Sequence, residues 1–186
     1  MLKSARLLLM PLALAGAAAI VPVTGRAQGM MADLHADVSD VQKKLVDLAK
    51  AIPETAYGWR PMTGTRGVGE LFKHIISDNY LIPISMGLAA PAATGISATD
   101  MQSADAYEKR NMTKAEIVAA LEQSFAHLHS AMNLTTDANA SQPMKFFGMD
   151  FTRRKAMIGT VTHLHEHLGQ GIAYARSNSV VPPWSK

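Results

Sequence analysis

Three histidines lie within five residues near the C-terminus, in the stretch VTHLHEHLGQGIAY that spans residues 161–174. This stretch has no proline and has the apolar spacing of a helix, in which each residue turns by about 100°. His163 and His167 therefore lie one turn apart on one face, whereas His165 points to nearly the opposite side. An imidazole pair with this spacing can bind a single metal ion. Because two ligands do not make a catalytic site, a third ligand has to come from elsewhere in the chain.

A second helix, predicted from about residue 68 to residue 88, supplies a candidate third ligand. His74 lies beside the apolar stripe of this helix, and Glu70 and Asp78 stand four residues before and after it. Either carboxylate could orient the imidazole or lie near a metal. A lone histidine at such a position is more often a satisfied core residue, but the His163–His167 pair favours a ligand. If the two helices are neighbours, three imidazoles meet inside the protein and suit Zn²⁺, Ni²⁺ or Fe²⁺.

Four stretches have the apolar periodicity of amphipathic helices, and no stretch has a convincing strand pattern. A capping box at Thr113 and Glu116 opens the third helix. The stretch from Ala89 to Asn111 is rich in Ala, Pro, Gly, Ser and Thr, and its length predicts a crossover connection. Residues 134–150 are predicted to form a loop. The sequence therefore predicts an all-α four-helix bundle, with helices at about 31–53, 68–88, 113–132 and 151–178.

The first 27 residues have the pattern of a signal peptide. Lys3 and Arg6 precede an apolar run from Leu7 to Val23, and small residues at the exit predict cleavage after Ala27. An uncleaved membrane anchor is the alternative. Residues 28–186 then form one domain, without cysteine and therefore without disulfides, thiol catalysis or a lipid-modified cysteine. We expect an exported protein, periplasmic or extracellular, that has no membrane contact after cleavage.

The charge of the chain lies mostly in this leader. The full chain has a formal net charge of +3, from 18 basic and 15 acidic residues. Residues 1–27 hold Lys3, Arg6 and Arg26 and no acidic residue, so 15 basic residues face 15 acidic ones in the remainder. A formally neutral domain gives no support to nucleic-acid binding. We therefore expect no nucleic-acid partner.

Two further groups of residues are candidates for the surroundings of a metal site. Glu166 and Gln170 share the predicted ligand face, so they are candidates for contacts to the ligands or to a substrate. Tyr57, Trp59 and Arg60 lie in a loop rich in Gly and Pro, where they either plug the end of the core or line the mouth of a pocket. The zincin HExxH motif is absent, because Gly169 occupies the position of its second histidine.

Three parts of the chain together resemble the DinB-like superfamily of metal-binding four-helix bundles. They are IPETAYGWRP followed by GVGELFKHI, then HLHEHLGQ, and finally YARSNSVVPPWS. In this resemblance His74, His163 and His167 match the three metal ligands. It implies an up-down-down-up bundle with a long crossover after the second helix, a divalent metal, a pocket at one end and, as in many relatives, a homodimer. Relatives often have arginine where this chain has Leu168, so an anion-binding role for that position is not expected here.

The resemblance does not define the reaction. Some relatives transfer low-molecular-weight thiols or isomerise thiol adducts, and export disfavours that chemistry because the usual thiol cosubstrates are cytosolic. Our leading hypothesis is an exported metal-dependent enzyme of hydrolase or transferase type that acts on a small molecule. The alternatives are a non-catalytic exported protein that binds metal or a small ligand, and a structural bundle whose histidines do not converge. No residue is assigned a catalytic role from the sequence.

Overall fold

A computed structural model describes residues 29–185 of the chain. The predicted signal peptide, residues 1–27, lies outside the described residues. Within residues 29–185, no helix is both long enough and apolar enough to cross a bilayer.

Residues 29–185 form five α-helices and one two-stranded antiparallel sheet. Four of the helices are long and confirm the predicted all-α four-helix bundle. The capping box predicted at Thr113 is also confirmed, because the Thr113 side chain accepts from the backbone N–H of Glu116. In chain order the elements are α1 (Met30–Ala51), α2 (Val68–Met86), α3 (Ser103–Glu108), α4 (Lys114–Met132), β1 (Pro143–Phe146), β2 (Met149–Thr152) and α5 (Arg153–Ser177).

The long helices pack with α1 and α2 each in contact with both α4 and α5. Contacts along each pair show that α1 is antiparallel to α4, that α4 is parallel to α2, and that α2 is antiparallel to α5. This is the up-down-down-up order, and the connection between the parallel helices α2 and α4 is the predicted crossover. The contacts that fix these directions are Lys50–Glu122 and Gln42–His129, Gly69–Ile117 and Asn79–Ser124, and His74–His167 and Asp78–His163.

The crossover contains a short helix that the sequence did not predict. Gly87, with a φ of 100°, ends α2, and the chain then returns along the bundle. The sequence predicted a loop from Ala89 to Asn111, and this prediction is wrong for the residues that form α3. Ala104 and Tyr107 of α3 are buried, and α3 packs against α2. A helix this short shows little periodicity and is stabilised by its packing on the bundle, so the sequence alone does not reveal it.

The predicted loop at residues 134–150 also contains β1 and the start of β2. Phe147 and Gly148 form the two-residue turn between these strands, with φ values of 50° and 78°. Positive φ at both turn residues is the geometry that matches the twist of a hairpin. Phe146 is buried and stacks on Phe151, with ring centroids 5.2 Å apart. The strands have four residues each, which is too short for an alternating pattern to stand out.

A continuous apolar core lies between the long helices. Gly171 lies where α5 packs against α1 and α2, and it has no side chain. A Cβ at this position would lie 3.1 Å from Leu48 and 3.6 Å from Leu71. The missing side chain therefore allows close packing of α5 one turn beyond His167. The largest fully buried side chains are Leu45, Leu48, Ile52, Leu71, Phe72, Ile75, Ile76, Leu121, Phe125, Leu128, Met132 and Met157.

Candidate metal centre

The three histidines selected from the sequence meet between α2 and α5. His74 of α2 lies with its Nε2 atom 3.1 Å from the Nε2 atom of His167 on α5. One ring nitrogen from each of His74, His163 and His167 lies within 4.8 Å of the others. His167 is buried, whereas the side chains of His74 and His163 are 13% and 28% exposed. The cluster is therefore shielded on the side of the core and accessible beside His163.

A carboxylate from the crossover orients His74. The Oε1 atom of Glu108, at the end of α3, lies 2.7 Å from Nδ1 of His74. The guanidinium of Arg66 pairs with the same carboxylate at 2.9 Å. Burial by itself raises the pKa of Glu108, but the hydrogen bonds from His74 and Arg66 outweigh it and the net pKa is lowered. An ionised carboxylate only accepts, so Nδ1 of His74 carries a proton and donates it to Glu108.

A chain of hydrogen bonds orients His167 in the same way. The hydroxyl of Tyr174 donates to the backbone carbonyl of Arg66 at 3.0 Å and accepts from the side-chain N–H of Gln170 at 2.7 Å. The amide oxygen of Gln170 therefore faces Nδ1 of His167, 3.1 Å away, and accepts its proton. Because the Arg66 carbonyl can only accept, the donor and the acceptor of each of these three hydrogen bonds are fixed. Carboxylates and carbonyls commonly orient metal-binding histidines in this manner.

The hydrogen bonds of His74 to Glu108 and of His167 to Gln170 leave a lone pair on the Nε2 atom of each ring, and these lone pairs face each other. With protons on Nδ1 of His74 and His167, their neutral rings both present an acceptor at Nε2, and those atoms are 3.1 Å apart. Only a cation between them, a proton or a metal ion, makes this approach favourable. Burial lowers the pKa of His167, the hydrogen bond to Gln170 and the nearby Asp78 oppose that change, and the neighbouring His163 and His74 lower it further. A proton is therefore disfavoured on His167, and the convergence of three ring nitrogens from His74, His163 and His167 fits a metal ion.

Asp78 adds a carboxylate to this group. Its Oδ2 atom lies 2.7 Å from Nε2 of His163 and 3.3 Å from Nε2 of His74. Ligands bound to tetrahedral Zn²⁺ at about 2.0–2.1 Å stand about 3.3 Å from one another. The distances of 3.1 Å between His74 and His167 and 3.3 Å between His74 and Asp78 are close to this value, whereas the distance between Asp78 and His163 is that of a hydrogen bond. His74, His163 and His167 could hold the ion, and Asp78 lies close enough to join them or to act beside it. Asp78 and His163 also line one end of a cleft of about 450 Å³.

Other candidates on the two helices lie outside this group. Glu70 bonds the backbone N–H of Gly67 at the start of α2 and pairs with Arg60, so it does not orient His74. Glu166 is exposed and makes no hydrogen bond to a histidine of the described chain, although its predicted face was that of the ligands. It precedes His167 by one residue, and the resulting rotation of about 100° directs it to solvent. His165 is exposed, on the side away from the cluster.

The three loop residues that the sequence singled out support the structure around the centre. Tyr57 donates its hydroxyl to the carbonyl of Ala49 at 2.7 Å and packs on a core phenylalanine. Trp59 packs edge-on against Tyr174, with ring centroids 5.4 Å apart, and so supports the hydrogen bonds to His167. Arg60 is exposed and pairs with Glu70. Tyr57 and Trp59 pack at the end of the core, while Tyr57 and Arg60 also line a separate cleft of about 210 Å³, so both roles stay open.

Arg66 and Glu108 are the residues that sequence reasoning missed. The carbonyl of Arg66 accepts a hydrogen bond from Tyr174, and its guanidinium binds Glu108. Arg66 therefore contacts both the residue that orients His74 and the hydrogen bonds that orient His167. Glu108 lies 34 residues from His74 and reaches it only because the crossover folds back along α2. Neither residue belongs to a motif, and no signal in the sequence separates them from other charged residues of the two connections that flank α2.

Comparisons with known proteins identify the type of fold. A family model described as the DinB superfamily matches residues 38–170, more than half of the chain. The structure is similar to that of a DinB-like protein from Bacillus cereus ATCC 10987, with a TM-score of 0.66, 14% identity, and coverage of 81% of this chain and 93% of that one. A DinB-like protein from Bacillus subtilis gives a TM-score of 0.60 at 14% identity, with coverage of 80% and 94%. No curated protein matches the chain.

Proposed function

The chain belongs to the DinB superfamily, and we propose that it is an exported metal-dependent enzyme of hydrolase or transferase type. The observation that carries this proposal is the pair of facing acceptor nitrogens on His74 and His167, beside His163 and a cleft. The nitrogens need a cation, and the cleft gives a small molecule access to it. The family membership supports a divalent metal, which we propose to be zinc, nickel or iron.

His74, His163 and His167 would hold the ion, which supplies a Lewis acid that lowers the pKa of water or of a thiol substrate. The chain provides the remaining functions. Glu108 and Gln170 hold the Nδ1 protons of two ligands, so that both Nε2 atoms face the site. Asp78 lines the cleft, and we propose that its Oδ2 atom accepts a proton from the attacking nucleophile.

The alternative is a non-catalytic protein that binds metal, and the position of Asp78 also favours it. Three histidines and one carboxylate supply four ligands, and four protein ligands close a tetrahedral zinc site. In that arrangement no open position remains for substrate. The two functions therefore differ in the role of Asp78, which is a proton acceptor in the enzyme and a fourth ligand in the binding protein.

Elemental analysis of the purified protein tests the metal site. We expect about one zinc, nickel or iron ion per chain in the wild type and none in the His163→Ala/His167→Ala double variant. The His165→Ala variant is the control, because His165 lies on the same helix but is exposed. A wild type without metal, even after incubation with each ion, would exclude the metalloenzyme and leave a binding protein or scaffold.

Turnover separates the enzyme from the metal-binding protein. The metal-loaded wild type is assayed on panels of small esters, amides and thiol adducts, before and after removal of the ion with a chelator. We expect turnover that is lost on chelation and restored by the ion. A bound ion without turnover on any panel would support the alternative, whereas turnover that does not depend on the ion would contradict both functions.

Export and oligomeric state are further parts of the proposal. The pattern of residues 1–27 supports cleavage after Ala27 and release into the periplasm or the medium. N-terminal sequencing of the protein from each cell fraction tests this, and a cytoplasmic protein with intact Met1 would contradict it. The family resemblance supports a homodimer, which sedimentation velocity would detect.

A further inference from the structure

The cleft beside the histidine cluster has the features of a binding site for a particular class of small molecule. It has a volume of about 450 Å³, lies along α5 between α2, the hairpin and the crossover, and has Asp78 and His163 at one end and Lys155 at the other. We propose that it binds an elongated apolar molecule with an anionic group at the Lys155 end and its reacting group at the histidines. This inference deepens the proposed function by naming a substrate class.

Apolar side chains form the wall between the two ends. Phe146, Phe147 and Phe151 come from the hairpin, and Met101 comes from the crossover. Met101 is 52% exposed and Phe147 is 38% exposed, so a patch of large apolar side chains faces solvent around the opening. Contiguous exposed apolar surface beside a polar cluster is typical of a ligand site. The wall therefore fits the apolar body of the ligand.

Gly159 opens the floor of the cleft. It lies one turn from Lys155 and one turn from His163 on the same face of α5, and it lines the cleft. A Cβ built at Gly159 meets nothing within 4 Å, so packing in the protein does not require the glycine. Glycine is unfavourable inside a helix, and here its effect is to leave space where a side chain would divide the cleft.

Lys155 provides the charge for the far end. Its Nζ atom lies 6.0 Å from the centroid of the Phe151 ring, and it forms no ion pair with a residue of the described chain. Eight residues of helix separate it from His163, which is about 12 Å along the axis of α5. A cation at this distance from the cluster complements an anion at the end of an extended apolar body.

The backbone of the hairpin turn supports a role for the wall. Phe147 has a φ of 50°, which glycine and asparagine adopt readily and bulky residues avoid. A phenylalanine at this position is unfavourable for the turn, yet it places an aromatic ring at the edge of the cleft. Residues with such strained conformations are concentrated at functional sites.

The experiment measures decanoate binding to the chelator-treated protein by isothermal titration calorimetry. Decanoate has the proposed apolar body and anion, and removal of metal makes this part of the proposal independent of the metal centre. We expect saturable binding to the wild type. Gly159→Leu is expected to weaken binding by about tenfold or more, because the new side chain fills the cleft. Gly169→Leu is the matched control, since Gly169 also has open space around its Cβ position but lies away from the cleft.

A second pair of variants tests the charge. Lys155→Ala is expected to weaken decanoate binding by about tenfold and to leave binding of neutral decan-1-ol unchanged. Lys43→Ala, at an exposed position on α1, is the control. Circular dichroism tests whether each variant is folded. If Gly159→Leu does not fold, the smaller substitution Gly159→Ala replaces it in the binding experiment.

Three results would overturn the proposal. The first is equal affinity of Gly159→Leu and wild type for decanoate. The second is decanoate binding that rises on zinc loading and does not depend on Lys155, which would place the carboxylate at the histidines. The third is a wild type that binds no decanoate, and if this wild type is a dimer that dissociates in Gly159→Leu, a second copy covers the cleft. A protein that binds decanoate but no metal would retain the ligand site and lose the proposed function.

Discussion

The Oδ2 atom of Asp78 lies 2.7 Å from the Nε2 atom of His163 and joins α2 to α5 at the histidine cluster. Asp78 and His74 are four residues apart, so both project from one face of α2 toward α5. The carboxylate is part of the cluster and also lines the cleft. Its role distinguishes the metal-dependent enzyme from the non-catalytic metal-binding protein.

Replacing Asp78 with asparagine tests that role. Asparagine has almost the same shape but is a poor base, so we expect about one ion per chain, zinc affinity within about tenfold of wild type, and turnover lower by about 10²-fold or more. Competition with a zinc chelator measures the affinity, and Asp105→Asn on α3 is an exposed control. A loss of zinc affinity as large as that of a histidine variant would show that Asp78 is a ligand.

Glu108→Gln tests the support of His74. Glutamine keeps the size of the side chain but removes the charge that accepts from Nδ1 and binds Arg66. Loss of such a partner commonly weakens metal binding by about 10–100-fold, and we expect a loss in that range by chelator competition. Glu122→Gln removes an exposed partner of Lys50 and is expected to leave zinc affinity unchanged. Unchanged affinity in Glu108→Gln would show that His74 does not need this carboxylate.

Tyr174→Phe interrupts the hydrogen bonds that orient His167. The variant loses the hydroxyl that accepts from Gln170 and donates to Arg66, so the Gln170 amide can rotate. We expect weaker zinc binding and a loss of about 1 kcal/mol in unfolding free energy. Tyr57→Phe is the control, because it also loses a tyrosine hydroxyl, with one hydrogen bond to Ala49 instead of two, but does not contact His167 or Gln170. Equal zinc affinity in both variants would show that metal binding does not depend on the hydrogen bonds from Tyr174 through Gln170 to His167.

The stability of the metal-free protein should rise with pH through the range where histidine titrates. Burial lowers the pKa of His167 below its ordinary value of 6.5, so the unfolded chain binds this proton more readily. The resulting stability is present above pH 6.5 and is lost as the pH falls through the lowered pKa. Urea unfolding at a series of pH values should show a shallower dependence in His167→Gln than in wild type. His165→Gln, the exposed control, should keep the wild-type slope, and equal slopes in all three proteins would contradict the prediction.

Two glycines of α5 should respond to alanine in opposite directions. Gly159→Ala is expected to raise the unfolding free energy by about 0.5–1 kcal/mol, because alanine favours the helix and its methyl group meets open space. Gly171→Ala has the same gain in helix propensity, but its methyl group would lie 3.1 Å from Leu48. We expect Gly171→Ala to be less stable than Gly159→Ala in thermal denaturation. The opposite order would show that the helices move apart at little cost.

Local patterns in the sequence were sufficient to predict the four long helices, whereas their up-down-down-up order came from the family resemblance. The stripes at spacings of three and four residues predict the four long helices, because an amphipathic helix has to bury one face. The crossover followed from the length of one connection. His163 and His167 were recognisable as a pair because both lie on one helix, where spacing alone fixes their relative direction.

Contacts between distant residues were decided only by the tertiary structure. Short elements such as α3 and the hairpin depend on packing against the bundle, so their few residues have no period of their own. Glu108 and Arg66 reach the histidines across loops, and the cleft exists because the hairpin and the crossover close over the face of α5 that contains Gly159. The sequence by itself determined which helices form and which residues on each helix share a face. The tertiary structure decided which faces meet, because that depends on how the connections fold back over the bundle.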